Sequence, residues 1–213
     1  MGNFVKRTIS LYKKNFIVDI FAKIRFWDAP YVEVEKMVSK KGMIVDLGCG
    51  EGIFSNYLAM SSSRRKIVGV DIDRKRISNA DKGLKNVQFR VGDVTKVKIP
   101  ECNAILMFHL LHHLSSQKAQ EKLIKCVVKK IKKGGRLVIV EVSKKPLLKF
   151  LLSWFTDHFI VAWFFERKIY EKNIFFRTED DWLSLFNGLN LKTKRYTKSR
   201  GKPFSHVVFV LTK

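Results

Sequence analysis

The sequence predicts a doubly wound α/β fold: a mostly parallel sheet of seven strands, closed by an antiparallel C-terminal hairpin. Three observations predict it. Five apolar runs between residues 43 and 142 alternate with stretches of helical spacing, the pattern of a parallel sheet with crossover helices. The first run, Met43-Ile44-Val45, leads into Asp46-Leu47-Gly48-Cys49-Gly50-Glu51-Gly52, a strand end that turns on three glycines. Two alternating runs, 191–196 and 206–211, follow the last helix and read as a hairpin. A chain of 213 residues with 46% hydrophobic content is long enough for one such domain, 1–213.

Residues 1–40 read as a helical arm. Ile9, Tyr12, Phe16, Ile17, Ile20, Phe21 and Ile24 recur at helical spacing, accompanied by Lys6, Arg7, Lys13, Lys14, Lys23 and Arg25. Pro30 opens a further helix through Met37, since proline suits a first turn. A basic amphipathic arm packs over a sheet edge, covers a ligand or touches a membrane. After the glycine turn, the second strand, Ile67-Val68-Gly69-Val70-Asp71, ends in an acid and is followed by Ile72-Asp73. The third, Val87 to Val94, alternates and reaches Asp93. The fourth, Ala104 to Met107, leads into Phe108-His109-Leu110-Leu111-His112-His113-Leu114. A helix from Ser116 to Lys133 follows, burying Leu123, Ile124, Val127, Val128 and Ile131 and ending at Gly134-Gly135. Arg136 to Val142 is the fifth strand.

Residues 144–177 are an insertion after that strand. Fourteen of the nineteen residues from 147 to 165 are apolar, and half of those fourteen are aromatic. Asp157 and His158 fall just past the middle, which argues against a spanning helix. On a helix, Lys149, Ser153, Thr156 and Asp157 form a narrow polar stripe. A hydrophobic lid or an interfacial helix is expected, with a core helix as the plainer alternative. Thr178-Glu179-Asp180-Asp181 is a capping box for a helix through Phe186, ended by Gly188.

The net charge is +23. Residues 122–136 carry Lys122, Lys125, Lys129, Lys130, Lys132, Lys133 and Arg136 with no acid; 192–202 carry Lys192, Lys194, Arg195, Lys198, Arg200 and Lys202, also with none. Such a surface binds polyanions: nucleic acid or an anionic membrane surface. Cys49, Cys102 and Cys126 have no paired spacing and no histidine cluster beside them, so neither a disulfide framework nor a zinc site is expected, and no metal is assigned. A cytoplasmic protein, peripheral on the inner face of the membrane, is the expectation; Lys13, Lys14 and Asp19 interrupt any signal-like run, and Lys6 stands where a myristoylation site wants Ser or Thr.

The ordered series from Asp46 to Val142, with D-x-G-x-G-x-G at the first strand end, resembles the class I S-adenosyl-L-methionine (SAM) dependent methyltransferases, over residues 40–213. Within that class it looks closest to the ubiquinone/menaquinone biosynthesis branch. The resemblance implies a Rossmann-like sheet, SAM as cofactor, and transfer of a methyl group to a lipophilic small molecule or lipid. It implies a cofactor site of Asp46, Gly48, Cys49, Gly50, Gly52, Asp71, Ile72, Asp93, Val94 and Phe108. Asp46 would hold the amino end, Asp71 the ribose hydroxyls, Ile72 the adenine face and Asp93 the adenine amino group. Cys49 reads as a small packing residue. His109 and His113, past the fourth strand where ligands of such sheets bind, are the expected catalytic residues, as bases or as loop-orienting groups. The charge keeps an RNA methyltransferase as the alternative, and a non-catalytic SAM-binding or membrane-associated module as a third reading.

Overall fold

The computed structural model describes residues 2–159, 174–198 and 201–213. Its centre is β1 (Gly42–Leu47), paired in parallel with β2 (Arg65–Asp71) on one side and β4 (Cys102–Phe108) on the other. β3 (Val87–Val91) extends the sheet beyond β2, and β5 (Ile131–Val142) extends it beyond β4. The C-terminal hairpin of β6 (Lys192–Lys198) and β7 (His206–Thr212) completes seven strands in the order β3-β2-β1-β4-β5-β7-β6, with β7 antiparallel to both neighbours. The strand order reverses between β1 and β4, the topological position at which such sheets open a ligand crevice.

Period-two alternation splits the core into two layers. Ile44, Ile67, Leu106, Val138 and Val208 face the side carrying α1 (Asn3–Ser10), α2 (Phe16–Asp28), α3 (Tyr31–Met37) and α4 (Ile53–Ser61). Val45, Leu47, Ile105, Ile139 and Phe209 face α6 (Gln117–Lys130) and α8 (Glu179–Asn187), where Leu123, Val127, Trp182 and Phe186 close the layer. α5 (Arg74–Ala80) follows β2 and starts on an Asp73 cap. The expected capping box on α8 forms: Thr178 Oγ1 accepts from the Asp181 N–H, and Asp181 accepts from the Thr178 N–H.

One expectation is corrected. The helix expected over Ser116 to Lys133 ends at Lys130, and Ile131 is the first residue of β5, paired with Cys102. Gly134-Gly135 therefore shapes an irregular strand start instead of a helix end. The Gly134 N–H bonds the Lys213 carbonyl, so pairing with the C-terminus competes successfully with a further helical turn.

Helical spacing alone left the inward face of the arm unassigned. Ile9 and Tyr12 are buried, but Phe16, Ile17, Ile20 and Ile24 of α2 are exposed, with Trp27 beside them. The inward face of α2 is Val18, Asp19, Ala22 and Asp28. α7 (Leu147–Phe155) is built the same way: Leu147, Leu148, Leu151, Leu152 and Phe155 are exposed, while Ser153 and, just beyond the helix, His158 are buried. The polar stripe of α7 faces the protein. Residues 160–165 of the expected lid lie outside the described residues. Among the described residues, no helix is long and apolar enough to cross a membrane.

Candidate active site

The glycine loop forms because two of its residues must leave the right-handed region. Gly48 has φ +70, and a Cβ there would sit 2.8 Å from Leu110. Gly52 has φ +66 and faces Phe89 and Ala80 at 2.6 and 2.7 Å. Only glycine fits both the angle and the space. The loop is tied to β2 by the Asp71 carboxylate, whose Oδ2 accepts the Gly50 N–H at 2.8 Å and whose Oδ1 accepts the Asp73 N–H at 3.0 Å. Each of these oxygens retains a second lone pair for a ligand hydroxyl. The Cys49 sulfur turns toward Gly69 of β2, and burial pushes its thiol up, so it is an inert packing group.

Asp46, at the end of β1, is buried and accepts from Ser55 Oγ at 2.6 Å. Burial raises its pKa to about 7 against the opposing Ser55 hydrogen bond, with the Asp71 charge adding to the rise. A cation placed beside it would restore the carboxylate. Ile72 stands out from the β2 end at 72% exposed. Asp93 accepts from the Thr95 N–H and hydroxyl, which hold its carboxyl below the usual range. Val94 is buried in the core. Phe108 is also buried, in an aromatic group with Tyr31 (5.2 Å) and Phe54 (4.6 Å) that ties β4 to the arm.

The three histidines after β4 have three different environments. His109 has φ +49, and its ring is held at both nitrogens. A guanidinium only donates, so the Arg25 contact at 3.1 Å makes His109 Nδ1 the acceptor. His109 Nε2 then donates to His206 Nδ1 at 3.0 Å, and His206 Nε2 donates to Asp28 Oδ2 at 2.8 Å. Burial, with the Arg25 charge added, holds His109 well below the usual imidazole range. His113 is also depressed, by burial and by His112. Neither expected catalytic histidine combines a free lone pair with a carboxylate partner.

His112 has that combination. Its Nδ1 donates to Glu141 Oε2 at 2.5 Å, and Glu141 Oε1 accepts the Leu111 N–H at 2.9 Å. Among the described residues its Nε2 has no hydrogen-bond partner, and it lies 3.7 Å from Asp157 Oδ2. Burial works against the imidazolium, but Glu141 outweighs it and the pKa is raised. Phe176 stacks on the ring at 4.8 Å. In the sequence Glu141 is one more residue of an apolar strand, and its partner lies 29 positions away. Nothing local marks the pair. Ligand atoms of His112, His113 and Asp157 come within 4.8 Å of one another. The Glu141 charge favours a proton on His112, which opposes a metal ion at the same nitrogen.

Residues 45–139 match the family model described as a methyltransferase domain. A 3-O-methylredipecamine 2-O-methyltransferase of Carapichea ipecacuanha is 32% identical over 98 residues, which are 46% of this chain and 26% of that protein. The ribosomal RNA small subunit methyltransferase C of Acinetobacter baumannii is 34% identical over 111 residues, 47% of this chain and 33% of that protein. The chain thus spans a third or less of the length of these two relatives. The magnesium protoporphyrin IX methyltransferase of Synechocystis PCC 6803, solved with SAH (S-adenosylhomocysteine) bound, superposes with a TM-score of 0.62 at 16% identity, covering 100% of this chain and 89% of that one. Residues 45–139 are thus similar to a methyltransferase domain, and the chain has the fold of the solved S-adenosylmethionine-dependent methyltransferases.

Proposed function

We propose that the protein transfers the methyl group of SAM to a lipophilic small molecule taken from an anionic membrane surface. Bound SAM supplies an electrophilic methyl on a sulfonium. The glycine loop amides and Asp46 hold the methionine head of the cofactor, Asp71 the ribose hydroxyls, Ile72 one face of the adenine and Asp93 its amino group. His112, in preference to His109 and His113, takes the acceptor proton: Nδ1 stays on Glu141 and Nε2 faces the reacting group. Phe150, Trp154 and Phe176 give the acceptor an apolar cover over that nitrogen, and the insertion 144–177 acts as the lid.

The observation that carries the lipid reading is the inverted polarity of α2 and α7. α2 turns Asp19 and Asp28 inward and α7 turns Ser153 inward, while both turn aliphatic and aromatic side chains outward, with Leu148 at 80% and Phe16 at 76% exposed. Residue 202 joins them: Lys149 of α7 donates to the Lys202 carbonyl at 2.5 Å, and the Lys202 ammonium bonds the Trp27 carbonyl at the end of α2. Apolar side chains beside lysines at one rim suit a headgroup boundary. The same net charge and the ribosomal RNA relative favour RNA as a second reading. Vesicle flotation decides between them. Flotation with phosphatidylserine vesicles at low salt, lost with neutral vesicles, supports the lipid reading. Tight, salt-sensitive binding of RNA without flotation defeats it.

A further inference from the structure

Arg25 is a half-buried cation with neutral partners. Its Nε donates to the Tyr31 hydroxyl at 3.2 Å and one terminal nitrogen donates to His109 Nδ1 at 3.1 Å. The guanidinium lies over the Phe21 and Tyr31 rings at 5.9 and 5.5 Å. Among the described residues no carboxylate forms an ion pair with it; Asp28 and Asp157 act on it only at longer range. Asp28 is already bonded to His206 and the Phe204 N–H, and Asp157 faces His112. A charge withdrawn from bulk water needs a counter-charge or a strong set of acceptors, and two neutral acceptors are a poor match for five N–H donors.

The surroundings specify where the missing anion sits. Arg25 keeps partial exposure, so a ligand can reach it. Its contact residue His109 precedes Leu110, the side chain that closes on Gly48 of the glycine loop. The chain Asp28–His206–His109 fixes the side of the guanidinium that faces the protein, because each ring nitrogen in it has one assigned role. The remaining donors are directed by that clamp, and a planar guanidinium matches a carboxylate in two parallel bonds.

We propose that Arg25 is the receptor for a carboxylate bound in the cleft between the glycine loop and the end of β4. The inference rests on the methyltransferase reading for the choice of ligands. Two sources offer this chemistry, the amino-acid head of the cofactor and an acid group on the lipophilic acceptor. Arg25→Gln is the test variant, because the amide still donates to His109 Nδ1; Arg25→Met is its companion.

In the first arm, calorimetry compares SAH with 5′-methylthioadenosine, which lacks the amino-acid head. If the cofactor supplies the carboxylate, Arg25→Gln binds SAH about tenfold to a hundredfold more weakly, the loss of one charge-assisted bond or pair, and methylthioadenosine as before. In the second arm, SAH-saturated protein is titrated with decanoate and decanol. If the acceptor supplies the carboxylate, the wild type prefers decanoate and both variants lose that preference. A folded Arg25→Gln protein with unchanged SAH affinity and unchanged decanoate preference overturns the assignment. Wild-type protein that binds neither nucleoside overturns the methyltransferase reading instead; the decanoate and decanol titration is then run on the protein without SAH, and an unchanged decanoate preference in the variants overturns the Arg25 assignment as well.

Discussion

The Asp71 carboxylate accepts the Gly50 N–H at 2.8 Å, so the acid that ends β2 also holds the loop that ends β1. One side chain therefore holds the loop in shape and, in the proposed function, also takes the ribose hydroxyls. Asp71→Ala is expected to weaken SAH binding by about 1.5–3 kcal/mol for each charged hydrogen bond lost. Calorimetry on the folded variant checks it; unchanged affinity removes Asp71 from the site.

Asp46 makes binding pH-dependent. Its folded pKa of about 7 lies above the unfolded value, so the folded state holds a proton that the unfolded chain releases. The stability contribution is full below about pH 4 and is lost as pH rises toward 7. Asp46→Asn should flatten that slope in thermal melts and melt higher than wild type above pH 7. A ligand ammonium needs the carboxylate ionised, so SAH affinity should rise with pH up to about 7 and then level off. A flat affinity profile between pH 5 and 8 contradicts the assignment.

Glu141 sets the pH at which His112 can accept a proton. The His112 pKa is raised in the folded protein, so its charged pairing stabilises fully below about pH 6.5 and fades as pH climbs through the folded value. A base must be unprotonated, which places the acid limb of turnover above the ordinary imidazole range. Glu141→Gln should shift that limb to lower pH and reduce the maximal rate. His112→Gln should reduce turnover about 100-fold or more at unchanged SAH affinity. Equal rates in His112→Gln and wild type would return the role to other groups.

Arg65 anchors the arm. It is fully buried, ion-paired to Glu35 of α3 at 2.9 Å, and donates to the carbonyls of Ser39 and Leu58 at 2.8 and 3.0 Å. Burial alone would raise the Glu35 pKa, but Lys40 and Arg65 reverse that and hold it low. Arg65→Ala leaves a buried carboxylate without this partner and should cost about 3–5 kcal/mol in chemical denaturation. A loss below 1 kcal/mol would mean that α3 is held by the apolar packing of its own Tyr31 and Val34.

The outward faces of α2 and α7 yield a surface prediction. Ile20→Lys with Leu148→Lys should abolish flotation on anionic vesicles while leaving the melting temperature within a few degrees, because both side chains already face solvent. Retained flotation would show that charge alone carries the attraction.

The strands, the glycine loop and the acids at the strand ends were legible in the chain because each depends on neighbours in sequence. Alternation marks a strand, and D-x-G-x-G-x-G marks a turn that only glycine permits. The end of α6 was misplaced because Gly134-Gly135 is a local helix-stop signal, whereas Ile131 is claimed by pairing with Cys102 across the sheet. The periodicity of 4–27 located helices but not their inward faces. A helix with apolar side chains on one face and acids on the other has two orientations, and which face turns inward is settled by partners such as His206 for Asp28. The choice among His109, His112 and His113 was likewise tertiary. Three imidazoles within five residues are alike in sequence, and they differ only because Arg25 stands 84 positions from His109 and Glu141 stands 29 from His112, distances that folding alone closes.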